Sequence, residues 1–359
     1  MGDERKVIDM HVHVAGRGDV WKEDLWWSKQ FENGLAFKSL TVLKGWGCKP
    51  VGDWLMVDAL TDQAAKAKRI DYAVVLAFDN VYDPDGTYRG PKRPNPKEVL
   101  STLYVSNRFV VELCGSNPKL LPGISVHPFR PDALKELDDY KDKAVLCKWM
   151  PSAQLIDFDN PRVQGKLERF YAKLAEIKLP LLLHTGIETS IPTVYKDYEK
   201  FNSAKYMETA LEKGATVIVA HCGCSYFDLL QDNMVDDTIR LFKRMQDEGK
   251  DWKLYADISA LFTPFRKRKI LDTVFAKIPP ERLIYGSDFP NPAKGRREFF
   301  LRPFLRYRRA NLLNRSARIA EKWLRHYFSD SQAMEIMLGF HRLLGSLGRG
   351  NQLNRIDPA

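Results

Sequence analysis

The chain has 359 residues, 44% of them hydrophobic and 28% charged, a composition that builds a large folded core and excludes a disordered or low-complexity polymer. No apolar run approaches the roughly 18 residues needed to cross a bilayer, which excludes a transmembrane helix. The net charge of +10 is concentrated, with eleven Lys or Arg against three acids between residues 291 and 330 and a near-neutral remainder.

The charged first six residues run straight into an apolar stretch, so no leader peptide is expected. Five cysteines (Cys48, Cys114, Cys147, Cys222 and Cys224) form an odd set without zinc-ribbon spacing, which fits free thiols in a reducing, cytoplasmic setting. Residues 7–13 read as a strand, and strand geometry puts His11 and His13 on one face, within reach of one metal ion. Residues 14–58 hold five of the eight tryptophans. A helix is predicted over 57–69, a strand over 71–78, a Pro- and Gly-rich loop over 79–96 and a helix over 97–115. Further strands are predicted at 120–127, 144–150, 179–186, 216–223, 254–259 and 283–290. Helices are predicted at 131–140, 161–177, 205–213, up to 249, and 267–277. Eight apolar strands, each followed by helical sequence, predict an α/β fold, a (β/α)8 TIM barrel, and no Gly-x-Gly-x-x-Gly fingerprint points to an open doubly wound sheet. The expected organisation is one domain over 1–359. It has a barrel at 6–290, an insertion at 14–58 on the catalytic face, basic helices at 291–345 and a polar tail at 346–359.

Five of the seven histidines, His11, His13, His127, His184 and His221, stand at or near predicted strand ends, and Asp288 ends the eighth strand. In a TIM barrel the C-terminal strand ends form one rim, so these side chains converge there. Three imidazoles and a carboxylate suit zinc and leave a position for water, whose pKa binding lowers to about 7. Asp288 can take that water's proton, and His221 can polarise a carbonyl or protonate carbon. His127 either contacts substrate or makes a structural hydrogen bond. Cys222 and Cys224 form a Cys-x-Cys pair beside His221 that can also ligate metal. The long segments after the first two strands emerge on the rim, where such loops carry specificity or form lids; aromatic packing onto the barrel is the alternative for the tryptophans.

The motifs Asp9-Met10-His11-Val12-His13, Leu183-His184-Thr185-Gly186, Val219-Ala220-His221-Cys222-Gly223 and Tyr285-Gly286-Ser287-Asp288-Phe289-Pro290 resemble the metal-dependent amidohydrolase superfamily. Within it the chain is similar to the amidohydrolase-related branch that includes aminocarboxymuconate semialdehyde decarboxylase. Residues 335–345 echo that family's final helix, with Phe340 in place of an Asn. The resemblance implies His11, His13, His184 and Asp288 as ligands of a divalent cation, zinc with manganese as the alternative, and one ion rather than two. It implies His221 as the catalytic imidazole or a ligand of a second ion. Some binuclear members carry a carboxylated lysine where Lys148 ends the fourth strand. Otherwise Lys148 orients an anionic substrate or pairs with Asp288.

The expected activity is metal-dependent hydrolysis of a small-molecule ester, lactone or amide, with non-oxidative decarboxylation of a small carboxylated substrate as the alternative. A third reading is an inactive barrel that binds through its basic face. No nucleic-acid module is present; the basic 294–325 segment is a candidate contact for an anionic surface, and a homodimer is expected from the resemblance.

Overall fold

The computed structural model describes residues 5–44, 51–92, 94–225, 234–263, 266–291 and 311–354. Its strands, in chain order, are β1 Ile8–His13, β2 Leu25–Trp27, β3 Tyr72–Leu76, β4 Leu103–Val105, β5 Leu120–Ile124, β6 Leu146–Trp149, β7 Leu181–Leu183, β8 Val217–Val219, β9 Leu254–Asp257 and β10 Leu283–Ile284. Eight of them form a parallel sheet in the order β1-β3-β5-β6-β7-β8-β9-β10, and β2 pairs antiparallel with β4 outside it. The eight parallel strands are those expected from the apolar runs, which read as continuous Val, Ile and Leu because both faces of the sheet are covered. The ends of the sheet meet. Met10 N–H donates to the Tyr285 carbonyl at 3.3 Å, His13 N–H to Phe289 at 2.8 Å, and Asp288 N–H to His11 at 2.9 Å, closing the TIM barrel. Closure is tight at Gly286, where a Cβ would lie 2.8 Å from that of His11.

Two expectations are corrected. The helix predicted over 97–115 is only a single turn at Pro96–Glu98, then β4, then a helix at Asn107–Gly115. Ser106 starts that helix by accepting the Phe109 N–H at 3.0 Å. A side-chain cap inside an apolar run ends the strand and begins the helix. The helix predicted over 205–213 begins as a 3₁₀ turn, Ala204–Met207, and is α-helical only at Glu208–Glu212.

The inward layer low in the barrel includes Met10, Leu121, Leu146, Leu182, Ile218 and Ile284, and it packs with Phe340, Leu343 and Leu344 of the helix Gly339–Ser346. The stretch read as a polar tail supports the same end: Leu347 and Leu353 are buried, and Arg349 donates to the carbonyls of Ile177 at 2.7 Å and Ala144 at 2.6 Å. These carbonyls precede β7 and β6, so the C-terminal segment plugs the N-terminal mouth and leaves the opposite mouth for chemistry. Of the basic segment, 292–310 lies outside the described residues. Arg315, Arg318, Lys322 and Arg325 stand on or beside the helix Leu312–Leu324. No helix among the described residues is long and apolar enough to cross a membrane.

Candidate metal centre

Strand periodicity delivers the first two site residues together. The Nε2 atoms of His11 and His13 are 3.1 Å apart, and Asp288 Oδ1 lies 3.6 Å from the first and 3.2 Å from the second. Asp288 comes from the turn after β10, at the seam where the barrel closes. It holds φ at +59°, and Asn291 Nδ2 donates to its Oδ2 at 2.7 Å. His221 and Cys222, after β8, also adopt positive φ (56° and 51°). Non-glycine residues in this region store strain that surrounding structure must hold, and such residues concentrate at functional sites.

Behind the three converging atoms lies a fixed network. His11 Nδ1 is 2.8 Å from Asp257 Oδ2. Asp257 Oδ1 accepts the backbone N–H groups of His221 and Ser259, each at 2.9 Å, and the Ser259 hydroxyl. Because Ser259 gives its proton to Asp257, its Oγ is an acceptor for His221 Nδ1, 2.8 Å away. Both imidazoles are thereby set as Nδ1–H tautomers, with lone pairs on Nε2. Asp257 was not singled out in the sequence, although an acid ending an otherwise apolar strand was a readable signal.

The electrostatics match a cation. Burial, then Lys148, push His11 down to about 3; burial lowers His221, and burial with His221 lowers His184 well below the usual imidazole range. Burial opposes ionisation of Asp257 and Asp288, yet their imidazole partners hold both carboxyls well below the usual range. Neutral imidazoles beside ionised carboxylates are the protonation states that a divalent metal requires. Among the described residues, two groups of side chains have the proximity for metal ligation: His11, His13 and Asp288, and His11, His221 and Asp257. The second is a hydrogen-bonded network whose protons occupy the space between its atoms. The first converges at the cavity, which His13 and Asp288 line.

That cavity, of about 130 Å³, is lined by His13, His184, His221, Glu188 and Asp288 together with apolar residues that include Phe31, Phe37, Phe78, Leu103, Met150 and Ile191. No Lys or Arg is among its described lining residues. The tryptophan-rich segment contributes Val14, Ala15, Phe31, Phe37 and Met56 to this lining and none of its described tryptophans. Trp27 packs against Phe31 and Phe37, and Trp21 packs against Trp54 with the rings tilted by 59°; Trp46 is outside the described residues.

His184 follows β7 and lies beside His221, ring centroids 5.2 Å apart, but not within the His11–His13–Asp288 group. Its Nε2 is buried without a hydrogen bond, 3.2 Å from Glu188 Oε2. Glu188, four residues on in a loop, was not foreseen; burial pushes it up to about 7. Lys148 is buried on β6. Its Nζ makes no hydrogen bond, so it does not pair with Asp288, and burial lowers it to about 8. His127 turns away from the cavity, with Nε2 2.8 Å from the Gln154 carbonyl and Nδ1 accepting the Phe129 N–H at 3.1 Å, the structural alternative. Cys222 donates to the Asp257 carbonyl at 3.1 Å, and Cys224 lines the cavity.

A closed parallel barrel with this rim defines an enzyme of the amidohydrolase superfamily, a hydrolase or a carboxy-lyase. The chain belongs to the amidohydrolase family, whose profile matches residues 8–325. Among solved structures it is similar to an uncharacterised TIM-barrel protein from Bordetella bronchiseptica, at 15% identity and a TM-score of 0.56, over 96% of this chain and 100% of that one. It is similar to an amidohydrolase from Burkholderia multivorans, at 13% identity and a TM-score of 0.54, over 95% and 99%. It is also similar to 5-carboxyvanillate decarboxylase from Sphingomonas paucimobilis, at 10% identity and a TM-score of 0.53, over 95% and 99%. No curated protein matches the sequence significantly.

Proposed function

We propose that the protein is a metal-dependent hydrolase of a small, neutral, largely apolar ester, lactone or amide. The observation that carries this reading is the convergence of His11 Nε2, His13 Nε2 and Asp288 Oδ1 within 3.1–3.6 Å at the edge of an apolar cavity. Two imidazole nitrogens and a carboxylate oxygen at that spacing can share one cation, and this donor set suits zinc or manganese. His184 presents a further buried imidazole to the same cavity. When bound, the divalent ion supplies Lewis acidity and lowers the pKa of water.

The chain's own residues do the rest. Asp257 holds the His11 Nδ1 proton and so keeps the Nε2 lone pair directed outward. Asp288 was expected to take the proton of the attacking water. Its Oδ1 faces the imidazoles of the proposed cation site and its Oδ2 accepts from Asn291, so we assign the proton transfer to His221 instead. The Nε2 of His221 carries a lone pair, so His221 takes that proton and hands it to the leaving oxygen or nitrogen. The apolar lining excludes water and binds the apolar part of the substrate.

The second reading is non-oxidative decarboxylation, supported by the same cavity-facing His221, which can deliver a proton to carbon. A screen of neutral esters and lactones against aromatic and heteroaromatic carboxylates, on zinc- and manganese-loaded protein, separates the two. Release of acid with an alcohol or amine supports hydrolysis. Carbon dioxide release from the carboxylates, with the neutral set inert, overturns it.

A further inference from the structure

Glu188 lies on the cavity wall and takes no part in the mechanism above. Its backbone is held from several sides. Gly186 N–H donates to the Asn202 carbonyl at 3.1 Å, Ile187 N–H to Ser225 Oγ at 2.7 Å, and Glu188 N–H to Glu199 Oε2 at 3.2 Å. Gly186 is required there: its φ is +89°, and a Cβ would sit 2.6 Å from the Cys224 carbonyl oxygen. The Glu188 side chain is 7% exposed, and its two oxygens are used differently. Oε1 accepts the backbone N–H groups of Ser190 and of Ile191, the latter at 2.9 Å. Oε2 points to His184 Nε2, 3.2 Å away, yet that nitrogen makes no hydrogen bond.

Two donor atoms that share one cation at about 2.0–2.2 Å lie about 3.0–3.5 Å apart. The His184–Glu188 separation falls in that range, as do the 3.1 and 3.2 Å separations within the His11–His13–Asp288 group. A carboxylate oxygen and an imidazole nitrogen that face each other, both buried and without a hydrogen bond between them, are a pair that a bound cation satisfies. We propose that Glu188 is a cation ligand, chelating a divalent ion through Oε2 together with His184 Nε2. The proposal rests on the reading that this cavity binds a divalent cation, and it adds a carboxylate from the loop after β7 to the ligand set.

The experiment uses the full chain and zinc or manganese alone. Cation content and affinity are measured by elemental analysis and chelator competition for the native protein, Glu188→Gln and Asp288→Asn. The Gln variant keeps an oxygen for the Ser190 and Ile191 N–H groups, so the loop is retained and only the charged ligand is lost. Expected is loss of one bound equivalent, or at least tenfold weaker binding, in Glu188→Gln with an unchanged melting temperature. A crystal structure of the zinc-loaded native protein, with anomalous scattering at the zinc edge, separates ligation from positioning: the ion should be bonded to both Oε2 and Nε2. Unchanged content and affinity in Glu188→Gln, or an ion bonded to His184 but not to Glu188, overturns the proposal while the first cation site stands. A native protein that binds neither metal overturns the underlying reading instead.

Discussion

Asp257 and His11, 246 residues apart in sequence, meet at 2.8 Å across the barrel, and this one contact fixes which nitrogen of His11 faces the cavity. Asp257 also accepts three donors on its other oxygen: the N–H groups of His221 and Ser259 and the Ser259 hydroxyl. Asp257→Asn therefore has no good orientation, because its amide must point at donors whichever way it is turned. Leaving buried donors unpaired costs about 1–3 kcal/mol each, so the variant should melt several degrees lower. Cation affinity should fall about 10–100-fold, the usual cost of losing an outer partner of a ligating histidine. Chelator competition and thermal melts check both outcomes, and unchanged affinity would remove Asp257 from the site.

His221 is assigned proton transfer, which separates it from the ligands. His221→Asn should lower kcat by about 10²–10⁴ while cation content stays at the native level. His13→Ala, by contrast, should lose both. A His221 variant that is active, or that loses the ion as His13→Ala does, contradicts the assignment.

Asp9 is buried on β1. Its Oδ1 accepts the Ser287 N–H at 2.8 Å, and its Oδ2 has no hydrogen bond. Burial pushes its pKa up to about 7, against an ordinary 3.8. A raised carboxyl means that the folded state holds the proton over a pH range where the unfolded chain has released it. Stability therefore falls as pH rises from about 4 through about 7, by up to a few kcal/mol. Asp9→Asn keeps an oxygen for Ser287 and removes the titration, so its melting temperature should be flatter than the native curve between pH 5 and 8. Parallel curves would exclude Asp9 as the source.

The barrel was legible because its strands announce themselves locally: continuous runs of Leu, Val and Ile ending in His or Asp need no knowledge of distant residues. His11 and His13 were legible for the same reason, since period-2 geometry alone puts them side by side. The pairing of β2 with β4 was not, because each is three residues long and has no alternation to read until the other lies beside it. Asp257 and Glu188 were missed for a different reason. An acid in a strand or loop acquires its role from the imidazole it faces, and for Asp257 that partner is at the other end of the sequence. For Glu188 the partner is only four residues away, but the intervening residues are a glycine-containing loop rather than a helix, so the spacing carried no geometric meaning.

Lys148 tests how much of the site depends on positive charge from the protein itself. It stands on β6 with its ammonium buried and making no hydrogen bond, and burial lowers its pKa to about 8 from an ordinary 10.5. The folded state releases this proton earlier than the unfolded chain, so below about pH 8 the buried charge is a cost, roughly 3 kcal/mol at most. That cost is relieved as pH rises from about 8 to about 10.5. Lys148→Met, similar in length and apolar, should melt higher than the native protein at pH 7 and lose the rise in stability above pH 8. Removing a like charge close to His11 should also tighten cation binding. A bridging carboxylated lysine predicts the opposite: the Met variant loses bound metal, and native mass spectrometry shows the added mass of carbon dioxide on the parent chain. Melting curves at pH 7 and pH 10, with metal content of both proteins, decide between a buried ammonium and a metal bridge.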